Sequence, residues 1–198
     1  MSVRTALVTG GNRGIGKETC RQLIEAGLRV ILSARHLDAA KKAAAELGAQ
    51  AIELDVSKQE SIDAAVAELK ERFGSIDVLV NNAGVALDGL NGKLAAKTLQ
   101  VNVRGVIALC DAIRPLLSDT AKIVMVSSGM GELSCLAPHL RERILEPGFD
   151  RGRLDAVLDE FVFEVDEGSY LQNGWPGSAY RVSKVGLNAF TRILASEL

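Results

Sequence analysis

Strand-like and helix-like segments alternate from the first residues of this chain, and that alternation leaves it very few architectures. Thr5-Ala6-Leu7-Val8 is an apolar run ended by glycines, the pattern of a strand buried on both faces. Ile15 to Ala26 is helical and closes at Gly27. Arg29-Val30-Ile31-Leu32 is a second strand, Leu37 to Leu47 an alanine-rich helix ending at Gly48, and Ala51-Ile52-Glu53-Leu54 a third strand. Ser57 is placed to cap the next helix, with Glu60 completing a capping box, and that helix runs to about Phe73. Ile76 to Val80 makes a fourth strand, about Ala95 to Leu117 a long helix, and Ile123 to Val126 a fifth strand. Short β-branched runs alternating with helices imply right-handed βαβ units and a parallel sheet covered on both faces. The expected fold is α/β, a doubly wound parallel sheet of the Rossmann type.

The rhythm breaks between residues 129 and 176, which hold three of the four prolines and no further strand run. Leu154, Val157, Leu158, Phe161, Val162 and Val165 recur there at helical spacing, with Asp155, Asp159, Glu160 and Glu164 between them. This predicts an amphipathic helix docked by its apolar face, its acids forming a solvated surface or, alternatively, a partner-binding one. Regular pattern resumes at Ser178, which can cap a helix carrying Tyr180 and Lys184. The 198 residues suit one domain, 1–198, with 129–176 as a helical insertion.

Composition excludes several classes of function. A formal net charge of -2 provides no basic stripe for nucleic acid. No run of eighteen apolar residues suggests a membrane span, and the N-terminus leads straight into a strand without a signal-peptide pattern. Cys20, Cys110 and Cys135 lack metal-ligand or C-x-x-C spacing, and His36 and His139 stand far apart, so no metal site is expected. The first two cysteines fall in helical patterns as small buried hydrophobes, whereas Cys135 lies in a loop. This cysteine usage points to a reducing, cytoplasmic setting.

Two constellations carry chemistry. Thr9-Gly10-Gly11-Asn12-Arg13-Gly14-Ile15-Gly16 follows the first strand and opens the first helix. Glycines there let the backbone turn tightly and approach a pyrophosphate, to which the helix N-terminus offers free N–H groups. At the end of the second strand, where an acidic residue would bond the 2′-hydroxyl of NAD, the chain reads Leu32-Ser33-Ala34-Arg35. Arg35 and Arg13 can pair with a 2′-phosphate, which favours NADP over NAD; otherwise they are solvated arginines. The second constellation is Tyr180 and Lys184, four apart and therefore on one helical face. An ammonium beside a phenol favours the phenolate, which makes the phenol a readier proton donor.

These motifs, with Asn81-Asn82-Ala83-Gly84 after the fourth strand, Asn102 and the Ser127-Ser128 pair, resemble the short-chain dehydrogenase/reductase family, in the family's order. The resemblance implies that Tyr180 is the general acid toward a carbonyl oxygen. It implies that Lys184 activates that tyrosine and holds the nicotinamide ribose, and that Ser128, in preference to Ser127, bonds the substrate oxygen. Asn102 matches the residue that keeps a water in the proton relay. Gly10, Asn12, Arg13, Gly14, Ile15 and Gly16 would face the cofactor phosphates, Asp55 and Val56 flank the adenine, and Asn82, Ala83 and Gly84 line the ribose. Asn81 is left as a residue that binds backbone between strands.

Roughly fifty residues separate Ser128 from Tyr180, and Gly174-Trp175-Pro176 precedes the tyrosine helix. This is similar to the monomeric carbonyl reductases of the family, where the insertion would cover the dimer face and leave a monomer. Trp175 would lie near Tyr180 as a substrate contact, or serve as a core anchor. Relatives continue past the tyrosine helix with further strands and a substrate loop, and those C-terminal strands are not in this sequence. The implied function is NADPH-dependent reduction of aldehydes, ketones or quinones, with a small-molecule carbonyl as the only partner. The alternative is a non-catalytic NADP(H)-binding sensor on the same fold.

Overall fold

The computed structural model describes residues 3–198. Five strands, β1 (Thr5–Val8), β2 (Arg29–Ala34), β3 (Gln50–Glu53), β4 (Ile76–Asn81) and β5 (Leu117–Met125), form one sheet in the order β3-β2-β1-β4-β5. Every pairing is parallel, with Leu7 opposite Ile31 on one side and Leu79 on the other. The winding reverses at β1, and in open sheets of this kind ligands bind beyond the carboxyl ends of the strands at such a reversal. The glycine turn lies there. Four helices accompany the sheet: α1 (Gly14–Glu25), α2 (Leu37–Leu47), α3 (Gln59–Phe73) and, numbered in chain order, α5 (Gly105–Ile113). α1 packs with α2, and α3 with α5. Ala6, Val8, Val30, Leu32 and Ala34 turn to one face, against Cys20, Ala40, Ala43 and Ala44. Leu7 and Ile31 alternate to the other face and are fully buried.

The chain divides into two compact units. The sheet and the helices just named lie in the first, which ends at Ala83 and resumes over Gly105–Val126. The second comprises Gly84–Arg104 and Ser127–Leu198. It contains α4 (Gly92–Leu99) with a π-helical turn (Gln100–Arg104), then α6 (Pro138–Leu145), α7 (Arg151–Glu167) and α8 (Ala179–Glu197). Two 3-10 turns, Gly129–Gly131 and Leu133–Cys135, precede α6.

Several local readings of the sequence need correction. The capping box does not form: α3 starts at Gln59, and its N-cap Lys58 makes no side-chain cap bond. The Asp55 carboxylate instead accepts from Ser57 N and Ser57 Oγ, at 3.0 and 2.6 Å, because an ionised acceptor two residues away outcompetes a helix amide. The helix read as Ala95 to Leu117 starts at Gly92, where Asn91 Oδ1 accepts from Leu94 N at 2.9 Å, and its α-helical part ends at Ile113. Pro115 then falls in a 3-10 turn, Arg114–Leu116, so Leu117 belongs to the strand. β5 consequently begins six residues before Ile123. Its register shifts between Leu117, opposite Ile76, and Lys122, opposite Val78. Helix α6 and the 3-10 turns carry no apolar period long enough to be read in advance.

Candidate active site

In the first unit, the side chains of Thr9, just after β1, and Asn82, just after β4, hold the glycine turn. Thr9 Oγ1 accepts from the backbone N–H of Asn82 and of Ala83, at 3.0 and 2.9 Å. The Asn82 carboxamide donates to Thr9 O at 2.8 Å and Gly10 O at 3.2 Å. Both Asn82 donors are therefore spent on the turn itself, which makes that side chain the turn's brace. Gly10 and Gly14 have φ of 63° and 54°, the left-handed region that favours glycine. At Gly11 the need is space, since a Cβ would lie 2.7 Å from Leu32 Cβ. Arg13 is the N-cap of α1 without a side-chain cap bond, and the first turn holds no acidic residue. The α1 N-terminus keeps its donors and its positive dipole end for an anion.

Around this turn, Asn12 is half-buried, and Arg13, Gly14, Ile15 and Arg35 are exposed. Burial works against the Asp55 carboxylate, but the Ser57 bonds and the charges of Lys58 and Arg35 hold it below its ordinary range. Val56 is buried beside it. Ala83 is half-buried, and Gly84, the first residue of the second unit, is exposed. A phosphate-bearing dinucleotide fits what this turn offers: an uncapped helix N-terminus, glycines and two exposed guanidiniums. Asn81 departs from its expected backbone role, for its Nδ2 faces Met125 Sδ at 3.3 Å and Cys110 Sγ at 3.5 Å, and its Oδ1 is buried without a partner.

In the second unit, Ser178 Oγ accepts from Arg181 N at 3.3 Å and starts α8, as its position suggested. Tyr180 and Lys184 follow one turn apart, with Lys184 Nζ 5.6 Å from the Tyr180 ring centroid. Lys184 is 6% exposed, and burial lowers its pKa from the ordinary lysine value. Ser183 Oγ donates to Tyr180 O at 2.7 Å and accepts from Asn102 Nδ2 at 2.9 Å. Asn102, 1% exposed, also donates to Val85 O at 2.9 Å and accepts from Val85 N at 2.8 Å. Both N–H donors of its side chain are occupied, and the carboxamide braces Val85 and Ser183.

Ser128 Oγ accepts from Met130 N at 3.1 Å, capping the turn Gly129–Gly131. That bond uses an oxygen lone pair and leaves the hydroxyl proton free for a carbonyl oxygen. Ser127 Oγ is enclosed without a partner and is the poorer candidate. Gly131 lets the Ser128 loop lie against α8, since a Cβ there would stand 2.6 Å from Lys184 Cβ. Asn188 Nδ2 donates to Gly131 O at 3.1 Å. Ser183, Gly131 and Asn188 were not singled out from sequence. Ser183 meets Asn102 across 81 residues and Asn188 meets Gly131 across 57, beyond the reach of any local pattern.

Trp175 is 3% exposed, its ring is tilted 52° to that of Phe161 with centroids 5.2 Å apart, and its Nε1 donates to Glu164 Oε2 at 2.6 Å. The acids of α7 stay exposed at Asp155, Asp159 and Asp166, and several also take partners. Asp155 and Asp159 pair with Arg104, Glu160 with Arg143, and Asp166 accepts from Gly92 N. Among the described residues no helix is long and apolar enough to cross a membrane, and no cluster of His, Cys, Asp or Glu is placed to hold a metal.

Residues 4–137 match the family described as short chain dehydrogenase. The (+)-neomenthol dehydrogenase of Arabidopsis thaliana is 36% identical over 231 residues, covering 98% of this chain and 78% of that protein. The NADPH carbonyl reductase 1 of Homo sapiens is 33% identical over 208 residues, covering 99% and 75%. Among solved structures, salutaridine reductase from Papaver somniferum superposes with a TM-score of 0.92 at 31% identity, covering 98% of this chain and 82% of that one. Menthone neomenthol reductase from Mentha piperita gives 0.94 at 30% identity, covering 100% and 87%.

Proposed function

The chain belongs to the short-chain dehydrogenases, and from that premise we propose that it is an NADPH-dependent reductase of aldehyde, ketone or quinone carbonyls. One observation carries the reading: Tyr180 and a buried Lys184 share one face of α8, with the 5.6 Å ammonium-to-ring approach given above. Arg13 and Arg35, both exposed, with no acidic residue at the end of β2, support NADPH over NADH. The human relative whose name specifies NADPH supports the same choice.

The α1 N-terminus and glycine turn would hold the pyrophosphate, Arg13 and Arg35 the 2′-phosphate, and Asp55 and Val56 the adenine end. When bound, NADPH supplies the hydride. Ser128 donates its hydroxyl hydrogen to the substrate carbonyl oxygen and orients it. Tyr180 gives its phenolic proton to that oxygen as negative charge develops there, and the Lys184 ammonium stabilises the phenolate left behind. Asn102 and Ser183 hold the first turn of α8 in place. Trp175 anchors the approach to α8.

The free chain is a monomer in this reading, because α7 already occupies faces of α4 and α8 that a second copy would otherwise use. Cys20, Cys110 and Cys135 form no disulfide, which accords with a reducing, cytoplasmic setting. Tyr180→Phe tests the assignment: turnover of a carbonyl panel should be abolished while NADPH binding stays within a few-fold. Undiminished turnover would sink it, and an NADPH fluorescence change without consumption in the parent chain would favour the sensor.

A further inference from the structure

Helix α7 grips the stretch that carries Asn102 at both ends. At the first end, Asp166 Oδ1 accepts from Gly92 N at 2.9 Å, and a Cβ on Gly92 would overlap that carboxylate. At the other, Arg104 closes the π-helical turn and donates from Nε to Asp155 Oδ1 at 2.8 Å and from Nη2 to Asp159. Asp155 and Asp159 stand four apart on one face of α7, which suits a forked guanidinium. Between the two grips, Gly186 of α8 admits Val103 and Leu158. A Cβ there would lie 3.2 Å from a methyl of each. A π-helical turn is a rare, single-turn departure from the α-helix, so surrounding contacts must select it.

We propose that Arg104, held by Asp155 and Asp159, is a positioning residue that keeps the Asn102 carboxamide on Val85 and Ser183, and through Ser183 steadies Tyr180. The α7 insertion then sets catalytic geometry in addition to covering helices. This inference rests on the reductase reading above for its kinetic effect, but the geometry it describes is measurable without turnover. The Arg104 side chain is 26% exposed, and those of Asp155 and Asp159 are 60% and 66% exposed. Ion pairs this open contribute little to global stability, so the effect belongs in rate and local order.

Arg104→Met keeps the apolar stem and removes the fork. In the full chain it should lower kcat about tenfold, in line with the sensitivity of catalysis to small displacements, and leave KM for NADPH within roughly twofold. Amide exchange over residues 98–104 should accelerate. Asp155→Asn with Asp159→Asn should reproduce both effects, and adding Arg104→Met to that pair should produce no further loss. Arg104→Lys should recover part of kcat. Arg143→Met is the control: Arg143 holds Glu160 of the same helix through two bonds, at 2.9 and 2.6 Å, and its loss should leave kcat and exchange at 98–104 unchanged. Unaltered exchange in Arg104→Met, or an equal loss in Arg143→Met, overturns the proposal. If the parent chain reduces no carbonyl, the reductase reading falls and exchange alone decides. Acceleration in Arg104→Met but not in Arg143→Met sustains the clamp, and any other pattern refutes it.

Discussion

Replacing Gly16 by alanine sets helix propensity against packing, and the two predict opposite signs. Gly16 lies inside α1, where alanine is favoured over glycine by about 1 kcal/mol. A Cβ at that position, however, would sit 2.5 Å from Gly10 O, 3.1 Å from Asn82 Cγ and closer still to Asn82 Nδ2. Gly10 O is backbone in the turn and cannot yield without moving it. Asn82 can yield only by leaving Thr9 O and Gly10 O, the two carbonyls it braces. Each bond contributes about 0.5–1.5 kcal/mol, and overpacking a filled site costs about 1–3 kcal/mol. Packing therefore wins, with a net loss of roughly 1–5 kcal/mol once the propensity gain is subtracted. For a chain of this size that is a fall in Tm of about 2–20 °C. Gly14→Ala is the internal comparison: nothing lies within 4 Å of its Cβ position, and only its φ of 54° is unfavourable. It should cost about 1–2 kcal/mol. Thermal melts with NADPH titrations on both variants read the outcome. Gly16→Ala should lose more stability than Gly14→Ala and should weaken NADPH binding. A Gly16→Ala protein as stable as the parent would refute the packing argument.

Two further outcomes follow from charge. Arg35→Asp should lower the NADPH-to-NADH ratio of kcat/KM by at least about tenfold, because a carboxylate repels a 2′-phosphate and accepts from a 2′-hydroxyl; a constant ratio would show that Arg35 does not read the cofactor. Burial depresses the Lys184 pKa, so between its folded value and the ordinary lysine value the folded chain binds fewer protons than the unfolded chain. The stability penalty from Lys184 is therefore fully present below that window and is relieved as pH rises through it. Lys184→Met, which retains the apolar stem, should abolish turnover. Its stability relative to the parent should fall as pH rises through that window, and a relative stability that grew with pH would contradict the burial argument.

The features legible in the sequence are those whose causes are local. A run such as Thr5–Val8, short, apolar beyond its first residue and ended by glycines, reads as a strand with two buried faces. Glycines at 10 and 14 announce a turn because positive φ is a property of one residue. Tyr180 and Lys184 share a face because helical geometry alone puts them there. Even Ser178 could be placed, since a cap bonds an amide only three residues on.

Tertiary structure decided what those local features meet. On α7 the acidic stripe is exposed, as its pattern suggests, but only the fold pairs Asp155 with Arg104, 51 residues away. Asn102 donates to Val85 and to Ser183, and Ser183 is 81 residues distant. Asn82 braces the glycine turn and Trp175 bonds Glu164, partners that no local pattern announces. Periodicity is written in neighbours along the chain, so the sequence alone determined the alternating strands and helices, the glycine turn and the Tyr180–Lys184 face. Hydrogen-bond partners and burial are set by approach through space, and only the folded chain could assign them.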